Sequence, residues 1–228
     1  MNSDPINEVK IIESWGNNAG AWTAAVQGRQ IGSRLLVTDQ VIVDAVTRRL
    51  PRTVLDIGCG EGWLARALAS RGVQVLGVDA IPSLIDCAKR SGGGGEFEVL
   101  SFEGIVAGRL KRSADVAVCN FSLFEKTSVE RLFLAIPSIL STRGSFIVQT
   151  LHPMGACGDL PYRDVWREGS WAGVNGNFTD PAPWYFRTLA NWITLFRNSG
   201  LQLSEVIGLL QPIGWRCRAR HRQTAVTN

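Results

Sequence analysis

The 228-residue chain is poor in the residues that mark several large protein classes. It has two histidines and two methionines, and its five cysteines (Cys59, Cys87, Cys119, Cys157, Cys217) are odd in number and scattered, with no CxxC pair. A disulfide scaffold and a zinc-ribbon module are thereby excluded, and reduced thiols in a cytoplasm are expected. No run approaches the roughly 20 apolar residues of a membrane span, and the opening MNSDPINEVK lacks the apolar stretch of a secretion signal. A broad surplus of positive charge is missing too. Lys+Arg number 24 against 20 Asp+Glu, but Arg216, Arg218, Arg220 and Arg222 all lie in the last fourteen residues. Setting those four aside leaves a neutral body, which argues against nucleic acid as partner.

What is present is an ordinary globular composition, 45% hydrophobic and 19% charged. Short Val/Ile/Leu/Phe runs bounded by Gly, Asp, Asn or Ser read as strands at Thr53–Ile57, Val73–Val78, Phe97–Leu100, Ala114–Cys119, Ser145–Thr150 and Leu201–Ile207. Helical spacing appears at Glu61–Arg71, Pro82–Arg90 and Ser128–Leu140, where Pro137 marks a kink or an end. This alternation predicts an α/β doubly wound domain with a mostly parallel sheet. One domain is expected, with a helical cap over 1–50, a core over 51–150, an insertion over 151–182, and a C-terminal helix and edge strands over 183–228. The insertion shows no clear period but carries Tyr162, Trp166, Trp171 and Phe178, which suits a working lid better than a disordered loop.

The most informative stretch is VLDIGCGEGW, Val54–Trp63. A strand runs into a glycine-rich turn and then a helix, the place where doubly wound folds bind ligands. About 20 residues later Asp79 ends the next strand, where a carboxylate can accept hydrogen bonds from both ribose hydroxyls. A nicotinamide site wants GxGxxG, yet the third glycine position holds Trp63. Asp56 also puts an anion two residues before the first glycine, which suits an ammonium or sulfonium better than a pyrophosphate. The charge pattern therefore points to S-adenosylmethionine.

On these motifs the chain resembles the class I S-adenosylmethionine-dependent methyltransferases. The likeness is carried by VLDIGCGEG (Val54–Gly62), VLGVDAIPSLIDCAKR (Val75–Arg90), ADVAVCNFSLFE (Ala114–Glu125) and RGSFIVQTLHP (Arg143–Pro153), and covers about 53–153. It extends to the small-molecule branch with an N-terminal helical cap and an insertion after strand five. The resemblance implies a seven-stranded sheet, S-adenosylmethionine as cofactor and S-adenosylhomocysteine as product. It implies backbone contacts to the methionine part from Gly58, Cys59 and Gly60, with Asp56 orienting the loop and the amino group. Asp79 matches the ribose acid, and Ala80 and Ile81 the apolar side of adenine. Ser101, Phe102 and Glu103 fall in the adenine-edge loop, with serine where the family often has Asp. Asn120 and Phe121 match the lining of the methyl-transfer point, and Arg34 an arginine that reaches the cofactor carboxylate.

His152 follows the fifth strand directly and is the candidate base, since an imidazole can take a proton from a hydroxyl or amine near neutral pH; the alternative is a histidine that bonds to backbone at a turn fixed by Pro153. Trp15 and Trp22 either roof the site or pack the cap. Cys217 and His221 form a C-x3-H half-site without a partner pair, so no metal is expected. Trp215–Arg222 reads as an edge strand or a basic tail. The expected function is methyl transfer to O or N of a small-molecule acceptor. Alternatives are an RNA methyltransferase anchored by the tail, and a non-catalytic module that binds the same cofactor.

Overall fold

The structure, a computed structural model, describes residues 4–208. Five parallel strands form the sheet: β1 (Thr53–Ile57), β2 (Gln74–Asp79), β3 (Glu96–Val99), β4 (Ala114–Asn120) and β5 (Leu140–Gln149), in the order β3-β2-β1-β4-β5. The order reverses between β1 and β4, and ligands of such folds bind beyond the carboxyl ends of the strands at that point. The inner strands β1 and β4 are apolar nearly throughout because helices cover both faces. On one face Leu55, Ile57, Ala117 and Cys119 meet Leu132, Phe133 and Ile136 of α6 (Thr127–Ile139) and Trp192 of α8 (Leu189–Asn198). On the other, Val54, Val116 and Val118 meet Leu64 and Leu68 of α3 (Trp63–Ala69) and Ile42, Val43 and Val46 of α2 (Asp39–Thr47).

The cap begins with α1 (Asp4–Gln27) and continues through a π-helical turn, Arg34–Thr38, into α2. Helix α1 packs on α4 (Pro82–Ser91) through Ala19, Ile81, Leu84, Trp15 and Trp22. Its Glu8 supplies the cap that α6 lacks locally: Oε1 accepts from the backbone N–H of Lys126 (3.1 Å), Thr127 (2.6 Å) and Ser128 (3.3 Å). The insertion is tied to the same helix. Asn18 exchanges two 2.8 Å bonds with the backbone of Thr179, Ser14 Oγ donates to the Asp180 carbonyl, and Trp166 Nε1 donates to Asp4 Oδ1.

Several sequence expectations need correction. Leu201–Ile207 is not a strand; most of its side chains are exposed, and a strand needs a hydrogen-bonded neighbour that the described residues do not offer it. The described sheet thus has five strands, and the expected edge at Trp215–Arg222, with the basic tail and Cys217 and His221, lies outside the described residues. Of the two readings of Pro137, the end holds: it falls in the last turn of α6, and β5 starts at once, at Leu140. The insertion has structure of its own: α5 (Phe102–Val106) precedes it in the core, while α7 (Pro153–Cys157) opens it. Strand β6 (Val165–Arg167) pairs antiparallel with β7 (Trp184–Phe186), just past its expected limit. Two buried arginines seat this hairpin. Arg187 donates to the carbonyls of Glu125 and Lys126, both at 2.8 Å, and the Arg167 guanidinium lies 3.6 Å from the Phe186 ring centre.

Candidate cofactor and acceptor site

The glycine loop closes on itself through its own amides. Gly58 and Cys59 N–H both donate to the Val78 carbonyl (2.8 and 3.0 Å), and Gly60 N–H donates to Asp79 Oδ2 at 2.9 Å. Gly58 and Gly60 have φ of +74° and +58°, values open to glycine at little cost. At Gly58 an added Cβ would overlap Ser122, whose hydroxyl donates to the Ile57 carbonyl; at Gly60 it would meet only Trp22 Nε1, 3.6 Å away. The loop is therefore braced on one side and open under the cap on the other.

This pattern decides what the loop can bind. Pyrophosphate sites offer free backbone N–H groups and a helix N-terminus, but here three loop N–H groups are spent internally. The start of α3 is filled as well. Glu61, 1% exposed, accepts from Trp63 N–H at 3.1 Å and is held by a salt bridge and hydrogen bond from Arg66. An anion already stands where a dinucleotide would place its phosphates.

Around the loop lie Asp56, Glu61 and Asp79, and the shortage is of positive charge. Burial, then the nearby charges of Asp79 and Glu61, push the Asp56 carboxyl up to about 7. Burial also raises Asp79, against the pull of backbone N–H donors; its Oδ1 accepts from Ile81 N–H at 2.9 Å. Each Asp79 oxygen keeps a second lone pair for a ribose hydroxyl. Asp56 Oδ2 and Asn120 Oδ1 are buried with no hydrogen-bond partner among the described residues. Buried acceptors left unpaired are costly. An adenosyl sulfonium with an ammonium group supplies the cation and the donors that they lack, so the residues present fit S-adenosylmethionine.

The other expected site residues are placed as follows. Ala80 is half-buried beside Asp79, but the Ile81 side chain is packed under Ala19, Trp15 and Trp22. Ser101 caps α5 by accepting from Gly104 N–H at 3.2 Å, and Phe102 packs on the core. Glu103 turns to α6, where the Ser128 hydroxyl contacts both its carboxylate and that of Glu8. Phe121 has a φ of +53°, an uncommon backbone state for a bulky residue, and its N–H donates to the Gln149 carbonyl at 2.8 Å. Arg34 pairs with Asp39 through two bonds (2.9 and 3.3 Å) and stacks 4.5 Å from the Trp63 ring centre. It borders a cavity of about 310 Å³ that Arg29, Glu61, Trp63 and Arg66 also line. His152 is exposed at the carboxyl edge of the sheet, just before α7. Glu61, Arg66, Ser122 and Gln149 were not anticipated. An acid two residues before a helical N–H was a readable signal for Glu61; nothing local marks the other three.

Above the loop, cap and insertion share an aromatic cluster. Trp15 contacts Trp22, Phe124 and Trp171 at ring separations of 5.2–5.8 Å, and Trp171 stacks on Phe178 at 4.6 Å. Trp15 and Trp22 thus pack the cap, and Trp22 also lies beside the glycine loop at Gly60.

The fold and site define a class I S-adenosylmethionine-dependent methyltransferase. The model of the methyltransferase domain family matches residues 35–206, and the chain belongs to that family and is an enzyme of that kind. It is 31% identical over 178 residues to the ubiquinone biosynthesis O-methyltransferase of Xanthomonas euvesicatoria pv. vesicatoria (strain 85-10), covering 73% of this chain and 69% of the relative. It is 27% identical over 205 residues to the protein of the same name from Xylella fastidiosa (strain 9a5c), covering 79% and 74%. Its fold is similar to a structure from Clostridium acetobutylicum ATCC 824 titled a S-adenosylmethionine-dependent methyltransferase (TM-score 0.59, 15% identity, 78% and 87% coverage). It is also similar to one from Listeria monocytogenes titled a putative S-adenosylmethionine dependent methyltransferase (0.57, 24%, 72% and 81%). No described helix is long and apolar enough to cross a membrane.

Proposed function

We propose that the chain transfers a methyl group to an oxygen of a small-molecule acceptor held between the cap, the insertion and the carboxyl edge of the sheet. The observation that carries this reading is the open, acid-rich loop with spent amides, which favours a cationic cofactor, beneath a roof of aromatic rings. The name shared by the curated relatives supports oxygen over nitrogen as the atom methylated.

Bound S-adenosylmethionine supplies a methyl group already activated on sulfur. Asp79 would hold the ribose, Asp56 and Asn120 would accept from the ammonium, and the backbone of Gly58, Cys59 and Gly60 would line the methionine part. Arg34 is assigned to the carboxylate. Ala80, Ser101, Phe102 and Glu103 remain assigned to the adenine side by position, and Ile81 by its backbone. The aromatic cluster excludes water and positions a flat or apolar acceptor, and positioning alone can supply much of the rate. His152 takes the acceptor's proton at the sheet edge.

The test is mass detection of S-adenosylhomocysteine and methylated product with a panel of phenolic and amine acceptors. Turnover on hydroxyl acceptors is expected, with His152→Ala lowering kcat while cofactor affinity is kept. Turnover confined to amines would overturn the choice of oxygen, and an unchanged kcat in His152→Ala the assignment of the base.

A further inference from the structure

Gln149 ends β5 on the face of the sheet that carries Asp56 and Asn120. The register shows this: Asn120 is the direct partner of Gln149, while Asp56 is level with Val118, two residues earlier on the same face of β4. The Gln149 Nε2 donates to the Thr38 carbonyl at 3.2 Å, at the junction of the π-helical turn and α2. That bond fixes the amide: a flipped group would set two oxygens against each other. Its Oε1 is consequently turned from the cap, and it is buried with no partner among the described residues, as are Asn120 Oδ1 and Asp56 Oδ2. Three strand ends thus bring three buried, unpaired acceptors to the face of the sheet beside the glycine loop. A primary ammonium has three donors and no acceptor, so it complements this set in number as well as in charge.

We propose that Gln149 is a binding residue for the ammonium of the cofactor's amino-acid part, and that it links that group to the cap through Thr38. The inference rests on the reading of the loop as a cofactor site, and it extends that site to a strand outside the glycine and acidic motifs. One side chain then bridges ligand and lid: its oxygen accepts from the cofactor while its nitrogen holds the turn that carries Arg34.

The experiment compares two probes by calorimetry on the full chain. S-adenosylhomocysteine carries the ammonium, whereas 5′-methylthioadenosine has the same nucleoside thioether without the amino-acid part. Gln149→Leu is expected to weaken S-adenosylhomocysteine about tenfold or more, as for loss of a hydrogen bond to a charged group. It should leave methylthioadenosine within about twofold. As a control, the deaminated analogue of S-adenosylhomocysteine, which keeps the carboxylate assigned to Arg34 and lacks the ammonium, should also stay within about twofold in Gln149→Leu. Equal weakening of S-adenosylhomocysteine and of either of the other two compounds would show a purely structural role in holding the cap and Arg34, and overturn the proposal. So would an unchanged S-adenosylhomocysteine affinity with a raised acceptor KM, which would place Gln149 on the acceptor. Wild-type protein that binds neither probe would instead refute the cofactor site itself.

Discussion

Asp56 makes cofactor affinity depend on pH with a definite sign. Its carboxyl is pushed up from 3.8 to about 7 by burial and by the charges of Asp79 and Glu61. A cation bound beside it favours the ionised form, so a proton must leave wherever Asp56 starts protonated. Affinity therefore rises as pH rises through 7 and levels off above it. With a titration point at 7, the ionised fraction grows from about one tenth at pH 6 to about nine tenths at pH 8, which corresponds to about a tenfold fall in Kd. Calorimetric titration with S-adenosylhomocysteine at pH 6, 7 and 8 measures this directly. Repeating the pH 7 run in buffers of different ionisation heat should reveal release of about half a proton. Asp56→Asn should bind more weakly at pH 8 and lose the pH dependence. A flat wild-type profile, or the same slope in Asp56→Asn, would refute the electrostatic account of the loop.

Two further predictions concern the elements that hold the site. Glu8→Ala removes the acceptor shared by three N–H groups at the start of α6. It should cost about 2 kcal/mol in denaturant unfolding, and a loss under about 0.5 kcal/mol would show that water replaces the carboxylate. Burial raises the Glu125 carboxyl from 4.5 to about 8. Its folded form therefore binds the proton more tightly than the unfolded chain, and the stability this lends is lost as pH climbs from 4.5 through 8. The ligand-free protein should melt at lower temperature at pH 8 than at pH 6, with a shallower decline in Glu125→Gln, and an identical decline would contradict it.

The parts legible in the sequence were those written in local pattern. Apolar runs placed β1 to β4 within a residue or two, and the turn from Ile57 to Trp63 announced itself by three glycines. Asp79 was legible because its distance from Gly60 is set by one helix and one strand. The hairpin was not, since β6 and β7 are three residues each and lie seventeen residues apart, so neither shows an alternation to count. Leu201–Ile207 has the composition of a strand, but strand formation is decided by a neighbour's hydrogen bonds. Glu8, Gln149 and Arg187 act on partners 61 to 120 residues away, and a polar residue carries no mark of a distant partner. Arg34 was readable as a cation near the site, but its pairing with Asp39 and its stacking on Trp63 emerge only from the fold.

The central claim is that the loop binds an adenosyl cation and no dinucleotide. Titration of the folded chain with S-adenosylhomocysteine and, in parallel, with NADH tests it most directly, with Asp79→Ala as the site control. The account predicts saturable binding of S-adenosylhomocysteine, weakened about tenfold or more by Asp79→Ala as two ribose hydrogen bonds and two loop bonds are lost, and no heat from NADH. Saturable NADH binding that Asp79→Ala abolishes would contradict it.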